Sequence, residues 1–215
     1  MKKAAIILAT AVTLFVSAPI LAQEPVSTII DIRNDLIFPE KGGDQTAQSL
    51  KIWLQYGRIS GFLESDFKNE NHALTIKPSL LFKQGPWYFL GGLSTNSQGS
   101  DFVQAGLWHV SRFGQFSVLL DLRNYWSVSG KGNSYTDNLL RVMYPIAGKL
   151  SIGGELSYDH WWNERDRNWF FIGPRVSYQL TKEMSVYVRV SREWDAIGSR
   201  TESTDRIRTA VQFNF

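Results

Sequence analysis

The sequence lacks cysteine altogether and contains only three histidines. No disulfide can therefore stabilise the fold, and thiol chemistry is excluded. Beyond the first 22 residues, no apolar run reaches the length of about 18 residues that a membrane-spanning helix requires. No spacing of histidine or carboxylate residues is typical of a metal site. We expect no metal centre and no cofactor.

Residues 1–22 have the layout of a secretory signal peptide. Two lysines open the segment, an apolar run follows from Ala4 to Val16, and a stretch rich in small residues ends at Ala22. The apolar run is too short to span a membrane as a helix. We expect cleavage after Ala22, which leaves residues 23–215 as one domain. The alternative is an uncleaved anchor helix.

The charge balance gives no reason to expect a nucleic-acid partner. Removing the leader takes away two of the 23 basic side chains, against 20 acidic ones, so the net charge falls from +3 to about +1. The basic pI of about 9.1 therefore belongs partly to the leader. A nearly neutral mature chain lacks the basic field that nucleic acids attract.

Apolar and polar residues alternate at period two in segments of roughly ten residues. In one such segment Met184, Val186, Val188 and Val190 interleave with serine, tyrosine and arginine. This alternation predicts β-strands with one apolar and one polar face. A soluble β-sandwich shows the same pattern, so the period alone does not choose between a sandwich and a membrane barrel.

The connections between segments alternate in length. Short turns occur at 83–86, 112–114, 147–149 and 181–183. Longer polar loops occur at 96–100, 129–134, 163–167 and 196–203. Short periplasmic turns and longer external loops are typical of outer-membrane barrels.

Aromatic residues fall at both ends of the apolar rows. Those near the short turns are Tyr56, Phe116, Tyr144, Tyr178 and Phe213, and those near the loops are Trp126, Trp162, Phe170 and Trp194. Two such girdles match the headgroup interfaces of a bilayer, so outer-membrane lipid and lipopolysaccharide are expected partners. The chain ends on Phe215, in a strand similar to the signature that the barrel-insertion machinery reads. We predict an antiparallel up-and-down β-barrel in a Gram-negative outer membrane.

The number of strands is either ten or twelve. Nine segments are readable from residue 72 onward, and bacterial outer-membrane barrels have an even total. One strand before residue 67 gives ten. Three strands give twelve, at Ser27–Leu36, Ser49–Tyr56 and Ile59–Phe67 with a tight turn at Gly57-Arg58. We favour twelve because it uses the apolar run Thr28–Ile32 and places both termini in the periplasm.

In a membrane barrel the apolar row faces lipid and the polar row faces the lumen. The inward parity selects nine basic residues: Arg33, Lys51, Lys77, Arg123, Arg141, Arg175, Arg189, Arg206 and Arg208. It also selects eight acidic residues: Asp31, Asp35, Glu64, Asp66, Asp121, Glu155, Asp159 and Glu193. The strands that bear Arg141, Arg175 and Arg208 are expected to carry no inward acid.

This distribution favours a channel for the passive uptake of small anionic solutes. Cationic side chains at mid-height focus a positive field, and guanidinium grips a carboxylate in two places. We therefore expect all the inward cations except Lys51 to be solute-binding residues.

Two alternatives stay open. The nearly balanced charges would also suit salt-bridge ladders that fill a closed structural or accessory barrel, serving polysaccharide export or adhesion. The pair Asp159-His160 near the loop end allows a rim hydrolase. Neighbouring residues on a strand point to opposite faces, however, which places His160 outside. We expect no enzymatic activity.

Three pieces of the sequence resemble the oligogalacturonate-specific porins of the KdgM type, which include sialic-acid channels. They are Ile30-Asp31-Ile32-Arg33, the hairpin Leu50–Phe67 and the closing strand Arg206–Phe215. The resemblance implies a monomeric twelve-stranded channel whose arginines, chiefly Arg33 and Arg208, pass acidic oligosaccharides. The chain departs from that pattern in its aromatic content. The inward Trp53, Trp108 and Trp169 would either stack on sugar rings or fill the bore.

Overall fold

The structure, a computed structural model, describes residues 27–56, 59–68, 73–162, 167–197 and 200–215. The predicted signal peptide, the predicted turn at Gly57-Arg58 and most of the predicted loop at 163–167 lie outside these ranges. Among the described residues, no helix combines the length and the apolar character needed to cross a membrane.

Twelve antiparallel strands make up the fold. They are β1 (Ser27–Pro39), β2 (Gln45–Tyr56), β3 (Ile59–Lys68), β4 (Ala73–Gln84), β5 (Trp87–Asn96), β6 (Asp101–Phe113), β7 (Phe116–Ser127), β8 (Tyr135–Ala147), β9 (Leu150–Trp161), β10 (Arg167–Gln179), β11 (Met184–Ile197) and β12 (Arg200–Asn214). Each strand pairs with its neighbours in the chain, and β1 pairs with β12, so the sheet closes into an up-and-down barrel. The prediction of twelve strands is confirmed.

The first and last strands close the barrel through a regular antiparallel ladder. At its end, the Thr28 amide donates to the Phe215 carbonyl at 2.9 Å and the Phe215 amide donates to the Thr28 carbonyl at 2.8 Å. This pairing removes the two sheet edges that β1 and β12 would otherwise present, as a membrane requires of a spanning sheet.

The two ends of the barrel differ in their connections. At one end, two-residue turns begin with Gly85 and Gly114, whose φ angles are 61° and 60°. Glycine adopts this left-handed conformation without strain, and tight hairpins require it there. At the other end most connections are longer, as at 128–134 between β7 and β8. We refer to these as the short-turn end and the loop end.

One predicted loop, at 196–203, is wrong in its extent. β11 continues to Ile197, β12 already begins at Arg200, and these two residues pair across the ladder. Near the loop end a strand no longer needs an apolar face, because it rises beyond the lipid. The run from Thr201 to Thr204 is polar throughout and lacks the alternation of apolar and polar residues by which a strand is recognised in a sequence.

The barrel is apolar outside and charged inside. On the outer face Leu80 is 63% exposed and Ile172 is 53% exposed, whereas the inward Glu155 and Arg189 are 3% exposed. A water-soluble protein shows the reverse distribution. Together with closure, this arrangement is that of a transmembrane β-barrel, in agreement with the predicted fold class.

Aromatic pairs mark both ends of the outer apolar band. At the loop end Trp126 packs against Trp162 with ring centroids 6.1 Å apart, and Phe170 packs against Trp194 at 5.5 Å. At the short-turn end Phe116 contacts Tyr144 at 5.1 Å, and the rings of Phe213 and Phe215 stack. The side chain of Tyr56 lies outside the described part, whereas the other girdle residues occupy the predicted outer face.

Candidate functional site

A cavity of about 840 Å³ runs inside the barrel. All twelve strands contribute side chains to it. Its lining residues come from both ends, with Ile29 and Gln212 near the short-turn end and Tyr135 and Trp161 near the loop end. The lumen therefore contains a space that spans most of the height of the barrel.

The structure brings the predicted solute-binding residues together around this cavity. Seven of the eight line it: Arg33, Lys77, Arg123, Arg141, Arg189, Arg206 and Arg208. Lys51, also predicted to point inward, lines it as well. Arg175 is buried and lies outside the lining set.

One side of the lumen, which we call the arginine wall, consists of mid-height inward side chains of β8–β12 and β1. Its cations are Arg33, Arg141, Arg175, Arg189, Arg206 and Arg208, and its acids are Asp31, Asp35, Glu155 and Glu193. Six guanidinium groups thus face four carboxylates. The arginine wall carries an excess of positive charge on the lumen.

Glu155 is the centre of the arginine wall. Its Oε1 accepts from Nε of Arg141 at 2.6 Å and from Nη1 of Arg175 at 2.6 Å, and its Oε2 accepts from Nη1 of Arg189 at 3.0 Å. These arginines come from β8, β10 and β11, which surround the β9 strand of Glu155. One negatively charged carboxylate thus faces three positively charged guanidinium groups, so this cluster carries a net positive charge.

Asp35 organises the other end of the arginine wall. Arg208 donates to both of its carboxylate oxygens at 2.7 Å, in the two-pronged geometry that guanidinium favours. Arg206 donates to Asp35 at 3.0 Å and to Glu193 at 2.8 Å. On the same strand as Asp35, Arg33 donates to Asp31. All these pairs join residues on the same strand or on adjacent strands.

Aromatic rings pack against two of the arginines. The guanidinium of Arg175 lies 3.4 Å from the ring centroid of Tyr187, and that of Arg189 lies 4.2 Å from the centroid of Phe171. Guanidinium groups stack favourably on aromatic faces, and stacking restricts their orientation. The two arginines are consequently held in fixed positions.

The opposite side, which we call the filled wall, consists of mid-height inward side chains of β2–β7. Its cations are Lys51, Lys77 and Arg123, and its acids are Glu64, Asp66 and Asp121. Arg123 of β7 donates to Glu64 of β3 at 3.1 Å, across four strands. Arg123 also donates to Asp121 at 2.6 Å and to the Tyr125 hydroxyl at 3.1 Å, and Lys51 pairs with Glu64. These contacts occupy space within the lumen and balance in charge.

An aromatic cluster fills the filled wall toward the short-turn end. Trp53 contacts Trp108 with centroids 5.2 Å apart and Tyr88 at 5.4 Å, although these residues stand on β2, β6 and β5. Phe62 completes the cluster against Trp108. The inward positions predicted for Trp53 and Trp108 are confirmed, and these two rings pack mainly on one another.

Acidic residues gather at the loop end of the lumen. Asp137 and Asp159 are directly opposite each other on β8 and β9, and both line the cavity together with Asp195. Asp137 shares its strand with Arg141, so the expectation that this strand carries no inward acid is wrong. The error came from reading 129–134 as a loop without extending the parity of Arg141 back to position 137.

Sequence reasoning also missed Arg167 and Asp195, which pair at 3.6 Å near the loop end and line the cavity. Arg167 lies eight positions before the inward Arg175 on β10, and Asp195 lies two positions after the inward Glu193 on β11. Both spacings are even, so the alternation along each strand would have placed both side chains inside. Arg167 was assigned to the predicted loop at 163–167, and Asp195 lies directly before the predicted loop at 196–203.

The geometry offers little support for catalysis at the loop-end rim. His160 has outward parity, as predicted, and its Nδ1 lies 2.9 Å from the side-chain oxygen of Asn168 on the same outer face. Asp159 points into the cavity on the other face. Within the described ranges, no three His, Cys, Asp or Glu side chains are grouped so that they could hold a metal ion.

The comparisons with known proteins bear on the fold. No protein-family model matches the sequence, and no curated protein matches it significantly. Among solved structures, the KdgM porin in complex with disordered oligogalacturonate is similar with a TM-score of 0.65 and 18% identity, over 87% of this chain and 99% of that one. The NanC porin gives 0.59 and 14%, over 86% and 98%. An outer membrane channel from Pseudomonas putida F1 gives 0.59 and 8%, over 88% and 95%.

At these identities the likeness concerns the fold. The porins match over most of this chain and nearly the whole of their own. The predicted resemblance to porins of the KdgM type is therefore confirmed at the level of the fold. The chain has the closed-barrel fold of the KdgM porin.

Proposed function

We propose that this protein is an outer-membrane channel for the passive uptake of small anionic solutes, and that acidic oligosaccharides are the solutes it passes. The observation that carries the proposal is the arginine wall beside a cavity that all twelve strands line. Six guanidinium groups against four carboxylates attract anions, and the low-dielectric barrel around them concentrates the field.

The most accessible cations of the arginine wall favour carboxylates as the groups recognised. The side chain of Arg141 is 23% exposed and that of Arg208 is 17% exposed, although each already contacts a carboxylate. Guanidinium binds a planar carboxylate through two parallel hydrogen bonds. Among the predicted solute-binding residues, we therefore propose that those of the arginine wall bind the solute, with Arg141, Arg208, Arg206 and Arg33 nearest the path and Arg175 and Arg189 next to them. Lys77 and Arg123 belong to the charge-balanced filled wall.

The structural neighbours are consistent with this function. One of them was solved with oligogalacturonate, a chain of acidic sugars, and another is an outer membrane channel. A cavity of about 840 Å³ falls within the size range of sites for single small solutes. We propose further that the channel is monomeric, non-enzymatic and cut from its leader after Ala22, and that lipopolysaccharide surrounds its outer end.

Planar-bilayer recording tests the proposal. In a potassium chloride gradient, the purified protein should form steady channels whose reversal potential shows a preference for chloride. Arg141→Ala with Arg208→Ala should move that reversal potential toward the value for no preference. A channel that prefers cations, or whose preference is the same in the double variant, would contradict the proposal.

A closed accessory barrel is the second candidate. The contacts of the filled wall favour it, because Arg123 and Trp53 reach strands three or four positions away and occupy part of the bore. Absence of any steady conductance in the same recordings would support this candidate.

Mass determination of the protein extracted from outer membranes tests the cleavage site independently, since an intact leader would contradict it.

A further inference from the structure

Glu155 occupies an unusual position for an acid in a channel that attracts anions. Its carboxylate contacts Arg141, Arg175 and Arg189 at 2.6 to 3.0 Å, and the residue is 3% exposed. It nevertheless lines the cavity, beside Arg141 and Arg189. The carboxylate thus occupies the same guanidinium groups that a passing solute would contact.

A carboxylate at this place has two opposite physical effects. It compensates the repulsion among three neighbouring cations, two of them buried, which would otherwise be costly to hold together. It also engages N–H groups that a solute carboxylate would bind through charge-assisted hydrogen bonds. The first effect favours folding, whereas the second weakens solute binding.

We propose that Glu155 is a resident competitor of the solute, which limits how long an acidic solute stays on the arginine wall. This inference deepens the proposed function and rests on it. Conduction requires binding that is strong enough for entry and weak enough for release. Three arginines without a resident carboxylate would hold a multiply charged solute too long for rapid passage.

Arg141 is the point at which the exchange begins. Its side chain is 23% exposed, compared with 7% for Arg175 and 3% for Arg189. A solute carboxylate can therefore bind Arg141 while Glu155 stays paired with the other two arginines. Release reverses this step when Glu155 recovers Arg141. No covalent bond is made or broken.

The test is the residence time of trigalacturonate, measured as single-channel current blockades in a planar bilayer. Glu155→Gln preserves the shape of the side chain and one acceptor oxygen but removes the charge. We expect blockades that last about tenfold longer, because the neutral amide oxygen of Gln competes less strongly than a carboxylate for the N–H groups of Arg141. Unchanged residence times would overturn the inference.

Glu64→Gln is the matched control, since it removes the same charge from the filled wall. Glu64 is also buried and also pairs with two cations, Lys51 and Arg123. We expect its blockades to last as long as those of the native protein. Equal lengthening in both variants would overturn the inference, because the effect would then be a general gain of positive charge.

Glu155→Asp carries the test if Glu155→Gln does not insert. The shorter side chain withdraws the carboxylate while preserving its charge, so we expect a smaller lengthening, and an unchanged residence time would overturn the inference. Absence of blockades in every variant would also overturn it. A native channel that shows no chloride preference would instead contradict the proposed function. This outcome is distinguishable from a failure of the inference, because it is measured as a reversal potential and not as a residence time.

Discussion

Side chains of the filled wall reach across the lumen to strands three or four positions away, whereas those of the arginine wall pair within two strands. Arg123 contacts Glu64 across four strands, and Trp53 contacts Trp108 across the same separation. In the arginine wall the longest connection joins Glu155 on β9 to Arg189 on β11. Crossing contacts fill the bore, and contacts along the wall leave it open.

The two walls therefore contain the same types of residue but differ in how their charges are arranged. In the filled wall each charge is balanced, and the charges pack among aromatic rings that exclude solvent. In the arginine wall the charges are unbalanced and two of them lie on the rings of Tyr187 and Phe171 at the barrel wall. We infer that stability comes mainly from the filled wall and ion preference mainly from the arginine wall.

The largest effect is expected for Arg123→Ala in the filled wall. The change leaves Glu64 and Asp121 buried with fewer partners, which costs about 3–5 kcal/mol in the free energy of unfolding. Urea unfolding in detergent micelles, followed by the shift in gel mobility, measures this loss. Arg141→Ala is the matched control in the arginine wall and should lower the free energy of unfolding by at most about 1 kcal/mol. Equal losses would contradict the comparison.

Trp108→Ala should have the next largest effect. It removes the central ring of the aromatic cluster, which costs about 3 kcal/mol, at the low end for such a truncation because water can enter from the lumen. It also widens the bore, so single-channel conductance should rise while the chloride preference stays unchanged. Trp169→Ala, on β10, is the control and should destabilise the barrel less. A fall in conductance would argue against the role assigned to the cluster.

Arg208→Ala should change ion preference with a smaller loss of stability than Arg123→Ala. Asp35 is buried but keeps Arg206 as a partner, whereas Arg123→Ala takes from Asp121 the arginine that donates two hydrogen bonds to it. The reversal potential in a potassium chloride gradient should move toward zero preference. Lys77→Ala, in the charge-balanced filled wall, should move it less. A larger shift for Lys77→Ala would reverse the assignment of the two walls.

The smallest effect is expected from salt. Raising the salt from 0.1 M to 1 M shortens the screening length from about 10 Å to about 3 Å. The chloride preference should weaken, because the charges of the arginine wall face the aqueous cavity. The stability difference between the native protein and Arg123→Ala should change little, because those charges are buried. Parallel recordings and unfolding curves at both salt concentrations would reveal a departure from this pattern.

Strand parity was accessible from the sequence because lipid imposes a strict period of two on every spanning strand. It correctly placed nine basic and eight acidic side chains inside, and it placed His160 outside. The extent of the strands was misjudged where they rise beyond the lipid, at Asp137 and along Thr201–Thr204, since no apolar face is needed there. The strand count was fixed by closure between β1 and β12, which period alone left open.

The face of each strand that meets lipid can be read from the sequence, because it depends only on local alternation and on the solvent outside the barrel. Which inward side chains meet one another depends on the closed sheet. The contact between Arg123 and Glu64, and the grouping of three arginines on Glu155, join residues that are 59 and up to 34 positions apart. Their proximity follows from the curvature and register of a closed sheet, and neither property can be read from the sequence of a single strand.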